Sequence, residues 1–371
     1  MQDGCQATAR REARSAPAAR PEGVASLSQK EVVSALSVVD GAGRPGNFGW
    51  SRQPAFFYDP AMVWAPRRRV SESDRYIVFN PTHTIVFEVR DDGYLGHMGV
   101  VVASRREKKR STRSVQTLLP LGAYGMPPES RGGAVRYRRK GAELDFVPMG
   151  GGVRIVRANI PKLGSSRGIR GQLVLSEPAL GFPAESLVRN APWGGDGSAF
   201  RCSGCSPWYT AEGVVQFGTT EIVFTKGNSW GVFDWSRGVR PREDVRLWAA
   251  GCGMAGGRLV GFSLGHGSED ASRGTGNAFF ADGRLHKLDL VEFAPPPAGG
   301  LSPWRFASSD GRLEMAFSPQ QERSDRGRLL FHSFSRRQFC GGFSGRAVLD
   351  DGSAIEFSAI PGFAERARTR F

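Results

Sequence analysis

The chain has 371 residues, 40% of them hydrophobic, with 49 Gly and 23 Pro; that is enough polymer to bury a substantial core, so a small disulfide-stapled scaffold is excluded and a turn-rich architecture is expected. Lys and Arg number 50 against 36 Asp and Glu, a net charge of +14, and seven of the 50 cations are Lys, so the excess rests on Arg, whose planar fork suits carboxylates and phosphates. No apolar run approaches the ~18–20 residues that cross a bilayer, and the first twenty residues lack the apolar stretch of a secretory signal, so neither a membrane span nor classical secretion is expected.

Residues 1–36 open the chain with Arg10, Arg11, Arg14 and Arg20 among Ala, Ser and Pro. This is the content of an organellar transit peptide, against which Asp3 and Glu12 weigh. With too little apolar surface to offset its ordering entropy, the segment is expected to be disordered. Beyond it the apolar pattern is short and punctuated and holds no helical period across three turns, which predicts an all-β chain with little helix. Asp-Gly pairs supply the positive φ angles of tight hairpin turns, and four stand between strand-like segments: Asp92-Gly93, Asp282-Gly283, Asp310-Gly311 and Asp351-Gly352. The second is expected to lead into one long alternating strand over residues 284–293. Gly150-Gly151-Gly152 reads as another turn. The densest basic run, residues 105–110, follows an apolar strand-like segment and is expected to be a solvated loop. Residues 191–204 are poor in strand formers, so the expected division is a first β domain over residues 37–195 and a second over 196–371, each a barrel or sandwich. The loop over residues 293–303 is taken as a connection inside the second.

Five dispersed cysteines argue against a secreted disulfide framework and suit a reducing compartment, so a cytoplasmic location is expected. Cys202 and Cys205 have C-x-x-C spacing, but neither Cys252 nor Cys340 supplies a second pair for a zinc ribbon, and no βαβ context suggests a redox pair. They are read as a partly exposed loop pair; no metal and no cofactor are expected. Gly227 to Gly231 fits G-x-S-x-G and Gly251 to Gly256 fits G-x-G-x-x-G. Both are followed by strand-like residues where a nucleophile elbow or a phosphate loop needs a helix, so they read as turns.

Chemistry concentrates in residues 230–253, where three Trp fall together with Asp234 and Arg237. Asp234 and Arg237 are the candidate catalytic pair, acid and electrostatic partner, with Trp235 and Trp248 as pocket walls. The bland alternative is a buried Asp234–Arg237 ion pair closing a strand corner. His266, with Glu269 and Asp270 in a Gly-rich loop, and Asn277 are further candidate ligand contacts.

Six ordered blocks, residues 39–44 with 49–54, 233–238, 277–288, 304–313, Phe343-Ser344-Gly345 and the closing Gly362-Phe363-Ala364-Glu365, resemble the Domain of Unknown Function 2804 family over roughly residues 37–371. That family has no established activity. The resemblance implies distant similarity to lipocalin-like proteins, carotenoid hydratases among them, whose two β domains hold hydrophobic small molecules. The expectation is therefore a two-domain, all-β, lipocalin-like protein that binds a hydrophobic or amphipathic small molecule, with a hydratase- or cyclase-type enzyme as its sharper form. The rival classes are a basic protein that binds nucleic acid or a membrane surface, and a non-catalytic β scaffold.

Overall fold

The computed structural model describes residues 29–107, 109–163, 167–195, 197–295, 300–329 and 332–370. The first sheet region carries Leu36–Ser37 (β1), Gly49–Ser51 (β2), Phe56–Phe57 (β3), Val70–Phe79 (β4), His83–Asp91 (β5), Leu95–Ser104 (β6), Lys109–Leu118 (β7), Val135–Arg139 (β8), Ala142–Gly150 (β9), Val153–Leu163 (β10), Arg167–Ser176 (β11), Leu187–Pro192 (β12), Phe200–Phe217 (β13), Thr220–Phe224 (β14) and Trp230–Val239 (β15). The second carries Glu243–Ala255 (β16), Arg258–Gly267 (β17), Ala278–Ala281 (β18), Arg284–Lys287 (β19), Val291–Ala294 (β20), Trp304–Ser308 (β21), Leu313–Leu329 (β22), His332–Val348 (β23) and Ala354–Arg370 (β24). Two single turns of 3-10 helix, Arg67–Arg69 and Ala271–Arg273, are the only helical segments among the described residues.

Local chemistry accounts for much of this. All four Asp-Gly pairs turn between neighbouring antiparallel strands. The tightest is Asp282-Gly283, a two-residue turn with φ of +47° and +75°, which matches the right-handed twist of the strands it joins. The Gly150-Gly151-Gly152 turn joins β9 to β10, and both glycine motifs lead into strands.

Hydrogen bonding gathers the strands into two large antiparallel sheets. The first runs β7-β6-β5-β4-β15-β13-β11-β10-β9-β8, with β2, β12 and β14 attached; the second runs β19-β18-β17-β16-β24-β23-β22-β21-β20. Each curls into a half-barrel, the all-β, lipocalin-like arrangement expected. Side chains alternate between faces, so each sheet fills its own concave core. Tyr76, Phe87, Phe146, Phe233 and Trp235 lie in the first; Phe262, Phe279, Trp304, Phe317 and Phe343 lie in the second. The alternate positions Ile77, Phe79, Val86, Val232 and Cys205 meet Trp248 and Phe363 in a third cluster that joins the sheets.

Some particulars differ from the sequence reading. The strand expected over residues 284–293 breaks into β19 and β20, because Leu288 N–H turns to the Asn277 carbonyl (3.1 Å) and Asp289 N–H to the Asp310 carboxylate (3.0 Å). The change of sheet falls between Val239 and Glu243, and the strands flanking position 195/196, β12 and β13, pair with each other. Residues 1–28 lie outside the described residues, whereas Gln29 accepts from Thr275 N–H (2.7 Å) and donates to Asp289 (3.0 Å). β13 bulges between Ser206 and Tyr209, and there the second sheet packs tightly against the first: a Cβ on Gly261 of β17 would stand 1.9 Å from the Pro207 carbonyl oxygen.

Candidate functional site

The alternation of β15 divides the expected site residues between two faces. Asp234 points toward the second sheet, where its Oδ2 accepts from Arg75 (3.0 Å) and its Oδ1 lies 3.8 Å from Arg246. Arg237 and Trp235 point the other way, into the first core. Arg237 is fully buried; it pairs with Asp74 at 2.8 Å, donates to the carbonyls of Pro127 and Ser73, and lies over the Trp235 ring. The Asp234–Arg237 pair anticipated from proximity in sequence therefore does not form. Three positions along a strand is an odd step, and each residue takes its partner from adjacent β4 instead, Arg75 on one face and Asp74 on the other.

Asn277 spends its amide on structure, accepting from Gly265 N–H at 2.7 Å and donating to the Asp289 carbonyl at 2.8 Å. His266 is exposed on a rim, and Trp248 is a buried wall under the Arg75 guanidinium, 4.8 Å from its ring centre. Cys202 and Cys205 stand in the buried interior of β13 rather than in an exposed loop, one in the first core and the other in the inter-sheet cluster. Burial pushes the Cys202 thiol up to about 12, which suits an inert core residue. Among the described residues no group of three or more His, Cys, Asp or Glu is arranged to hold a metal.

Asp234, Trp248 and His266 come together on a cleft between the sheets; Arg237, Trp235 and Asn277 do not face it. The cleft has two lobes that share Arg201, Asp244 and Arg246. The smaller, about 100 Å³, reaches Asp234, Trp248 and His266. The larger, about 440 Å³, lies between Arg90, His97 and Gln116 of the first sheet and Arg323, Arg336 and Glu365 of the second. Trp193, Leu95 and Phe334 supply apolar wall.

The electrostatics of the cleft are those of buried guanidiniums and the carboxylates that neutralise them. Burial pushes Glu269 upward, but Arg189 and Arg201, both bonded to it, and Arg246 outweigh burial and hold it at about 2. Burial likewise opposes ionisation of Glu88, yet Arg336, Arg90 and Arg75 keep it well below the ordinary carboxylate range. His97 is driven down to about 4 by burial in spite of Glu88. Arg246 is the exception to this pairing. Burial, then its neighbour Arg201, lowers it to about 10. Its nearest described carboxylate is at 3.8 Å, and it makes no hydrogen bond among the described residues.

None of Arg75, Arg201, Arg246, Arg336, Glu88 or Glu365 is singled out by the sequence reading. The available signal was a charge interrupting an apolar strand run, Glu88 within residues 85–89 and Arg75 before residues 76–79, since such charges are rarely buried without a partner.

A family model described as a domain of unknown function, DUF2804, matches residues 29–371. No curated protein matches the chain. Among solved structures, kievitone hydratase from Nectria haematococca is 9% identical, with 81% of this chain and 88% of that one covered and a TM-score of 0.45. A structure assigned as AttH from Nitrosomonas europaea is 14% identical, covering 80% and 92%, with a TM-score of 0.50. CghA is 12% identical, covering 93% and 98%, with a TM-score of 0.51. At these identities the last two share the fold, and no helix here is long and apolar enough to cross a membrane.

Proposed function

The chain belongs to the DUF2804 family of domains of unknown function, and from that premise we propose that it binds an amphipathic small molecule with an acidic group in the cleft between its two sheets. The observation that carries this reading is Arg246. A guanidinium enclosed between two sheets loses hydration, and proteins recover that loss through carboxylate partners and hydrogen bonds. Around it Arg75, Arg201 and Arg336 have both, whereas Arg246 points its donors into the cleft.

An anionic group there would take charge-assisted hydrogen bonds from Arg246 with Arg201 beside it, while Trp248, Trp193 and Phe334 would cover an apolar body. The larger lobe alone, about 440 Å³, falls within the range of roughly 300–1,000 Å³ usual for small-molecule sites. Of the hydrophobic or amphipathic ligands expected, this selects the amphipathic. Asp234 faces the same space, but it is engaged by Arg75, so the reading is one of binding and assigns it no acid step.

Native mass spectrometry of protein purified from its own host, with organic extraction of whatever co-purifies, tests the proposal. One acidic amphiphile per chain is expected, with retention reduced about tenfold or more in Arg246→Met. A neutral extract retained equally by Arg246→Met, or a clean apo mass that persists after incubation with oleate, would overturn it.

A further inference from the structure

We infer that the mouth of this cleft docks on an anionic lipid bilayer through an apolar lip at the end of β7. On β7, Ser114 and Gln116 face the larger lobe. Leu118 is the next residue on that face, beyond the cleft, and is 66% exposed. Leu119 and Leu121 follow, 63% and 47% exposed. Both have left-handed backbones, φ +50° and +47°, a conformation that Gly, Asn or Asp adopts more readily than leucine. Backbone bonds fix them there, Leu119 N–H to the Tyr94 carbonyl (2.7 Å) and Leu121 N–H to the Gly93 carbonyl (3.0 Å). The fold thus holds leucines outward at positions where small polar residues would strain it less. Strain retained in this way marks sites kept for something other than stability.

A second loop joins the lip. Gly93, which receives Leu121, packs so closely on the backbone of Arg67 and Arg68 that a Cβ on it would lie 2.4 Å from the Arg67 carbonyl oxygen. Just upstream of that backbone stand Met62 and Trp64, the latter 79% exposed. Cations flank both loops. Arg139 and Lys140, at the β8–β9 turn, share a surface hollow with Leu118, and Arg68 is exposed. Among the described residues none of the three has an ion pair. The acids beneath are occupied: Glu72 by Arg67 at 2.7 Å, and Asp91 by the N–H groups of Gly93 and Gly122, each at 2.8 Å.

Leucines and a tryptophan projecting from turns, rimmed by unneutralised cations, match the boundary between acyl chains and anionic headgroups, where aliphatic side chains sink, indole rings settle and basic residues meet phosphate. A protein partner would be better served by a continuous face than by side chains on convex turns. The lip borders the cleft through Asp92, Leu95 and Gln116, so docking would open the cleft toward the membrane surface.

The test is co-sedimentation of the whole chain, without added ligand, with vesicles of phosphatidylcholine alone and of phosphatidylcholine and phosphatidylglycerol in roughly a 2:1 ratio. Binding to the anionic vesicles is expected, weakening as salt rises. The double variant Leu119→Asn/Leu121→Asn should bind about tenfold more weakly or less, with a melting temperature equal to or above the parent's because Asn suits both backbones. Arg139→Gln/Lys140→Gln should flatten the salt dependence. Leu119→Asn/Leu121→Asn, whose residues line neither lobe of the cleft, should retain co-purified acidic amphiphile like the parent, so failure of the ligand reading and failure of this one are told apart. Absence of binding to either vesicle would overturn the proposal, as would a double-Asn variant that binds as tightly as the parent.

Discussion

His97 shows how burial and charge compete at a single residue. Its Nε2 lies 3.7 Å from a Glu88 oxygen, a neighbour that on its own would favour the imidazolium. Burial acts in the other direction and is the larger effect, aided by Arg336 and Arg90, so the ring is held at about 4. The unfolded chain takes up this proton near pH 6.5, and the folded chain resists until about 4. Stability from the neutral ring is therefore complete above pH 6.5 and is lost as pH falls toward 4, by on the order of 3 kcal/mol at most. Comparing urea denaturation of the parent and His97→Gln at pH 7.5 and 5.0 should show the parent losing more over that window. Parallel losses would assign the whole slope to other groups, since His83, His286 and His332 are also lowered by burial.

Elements were the most legible level. Alternation and Asp-Gly chemistry identify hairpins because both act within a few residues, and all four turns stand where the sequence places them. Charge pairing was not legible, because Asp234 meets Arg75 across 159 positions and Arg75 meets Glu365 across 290. Proximity along β15 suggested Arg237 as Asp234's partner, and strand geometry turned that side chain to the opposite face. The bulge in β13 belongs to the same hidden category. It frees the Pro207 carbonyl from the ladder, and Gly261 is the residue that lets β17 approach it. A methyl group there meets backbone, which cannot swing aside as a side chain can. Gly261→Ala is expected to lower stability by roughly 2–4 kcal/mol. Gly256→Ala, in an open turn with φ +56° and nothing within 4 Å, should cost only about 1 kcal/mol of backbone strain. Equal midpoints for the two variants in denaturant would show that the sheets can separate at this point without penalty.

At the scale of the whole molecule, apolar packing and buried charge both join the sheets, and charge does so beside the cleft. Arg336 of β23 donates to Glu88 of β5 (2.9 Å) and to Glu365 of β24 (2.7 Å), while Arg75 of β4 binds Glu365 and Asp234. Arg336 thus gives the largest opposing charge to two buried carboxylates, one from each sheet, with Arg90 adding to its effect on Glu88 and Arg75 on both. Arg336→Met should lower stability by about 3–5 kcal/mol at pH 7.5, since it removes from two buried carboxylates the counter-charge that opposes their burial most. The size of that loss must itself depend on pH. In the parent, Glu88 and Glu365 sit below their unfolded values, so the stability they contribute is present above about pH 4.5 and drains away as pH falls. In the variant Arg90 and Arg75 remain on Glu88 and Glu365 but offset burial less, so both carboxyls rise from their depressed positions and the folded state takes up protons at a higher pH than in the parent. The two stabilities therefore converge as pH drops from 7.5 toward 3. Equilibrium unfolding of both proteins at those two values checks this. A difference that stays constant would mean that Arg336 acts through packing alone, and that the cleft does not owe its ionised carboxylates to it.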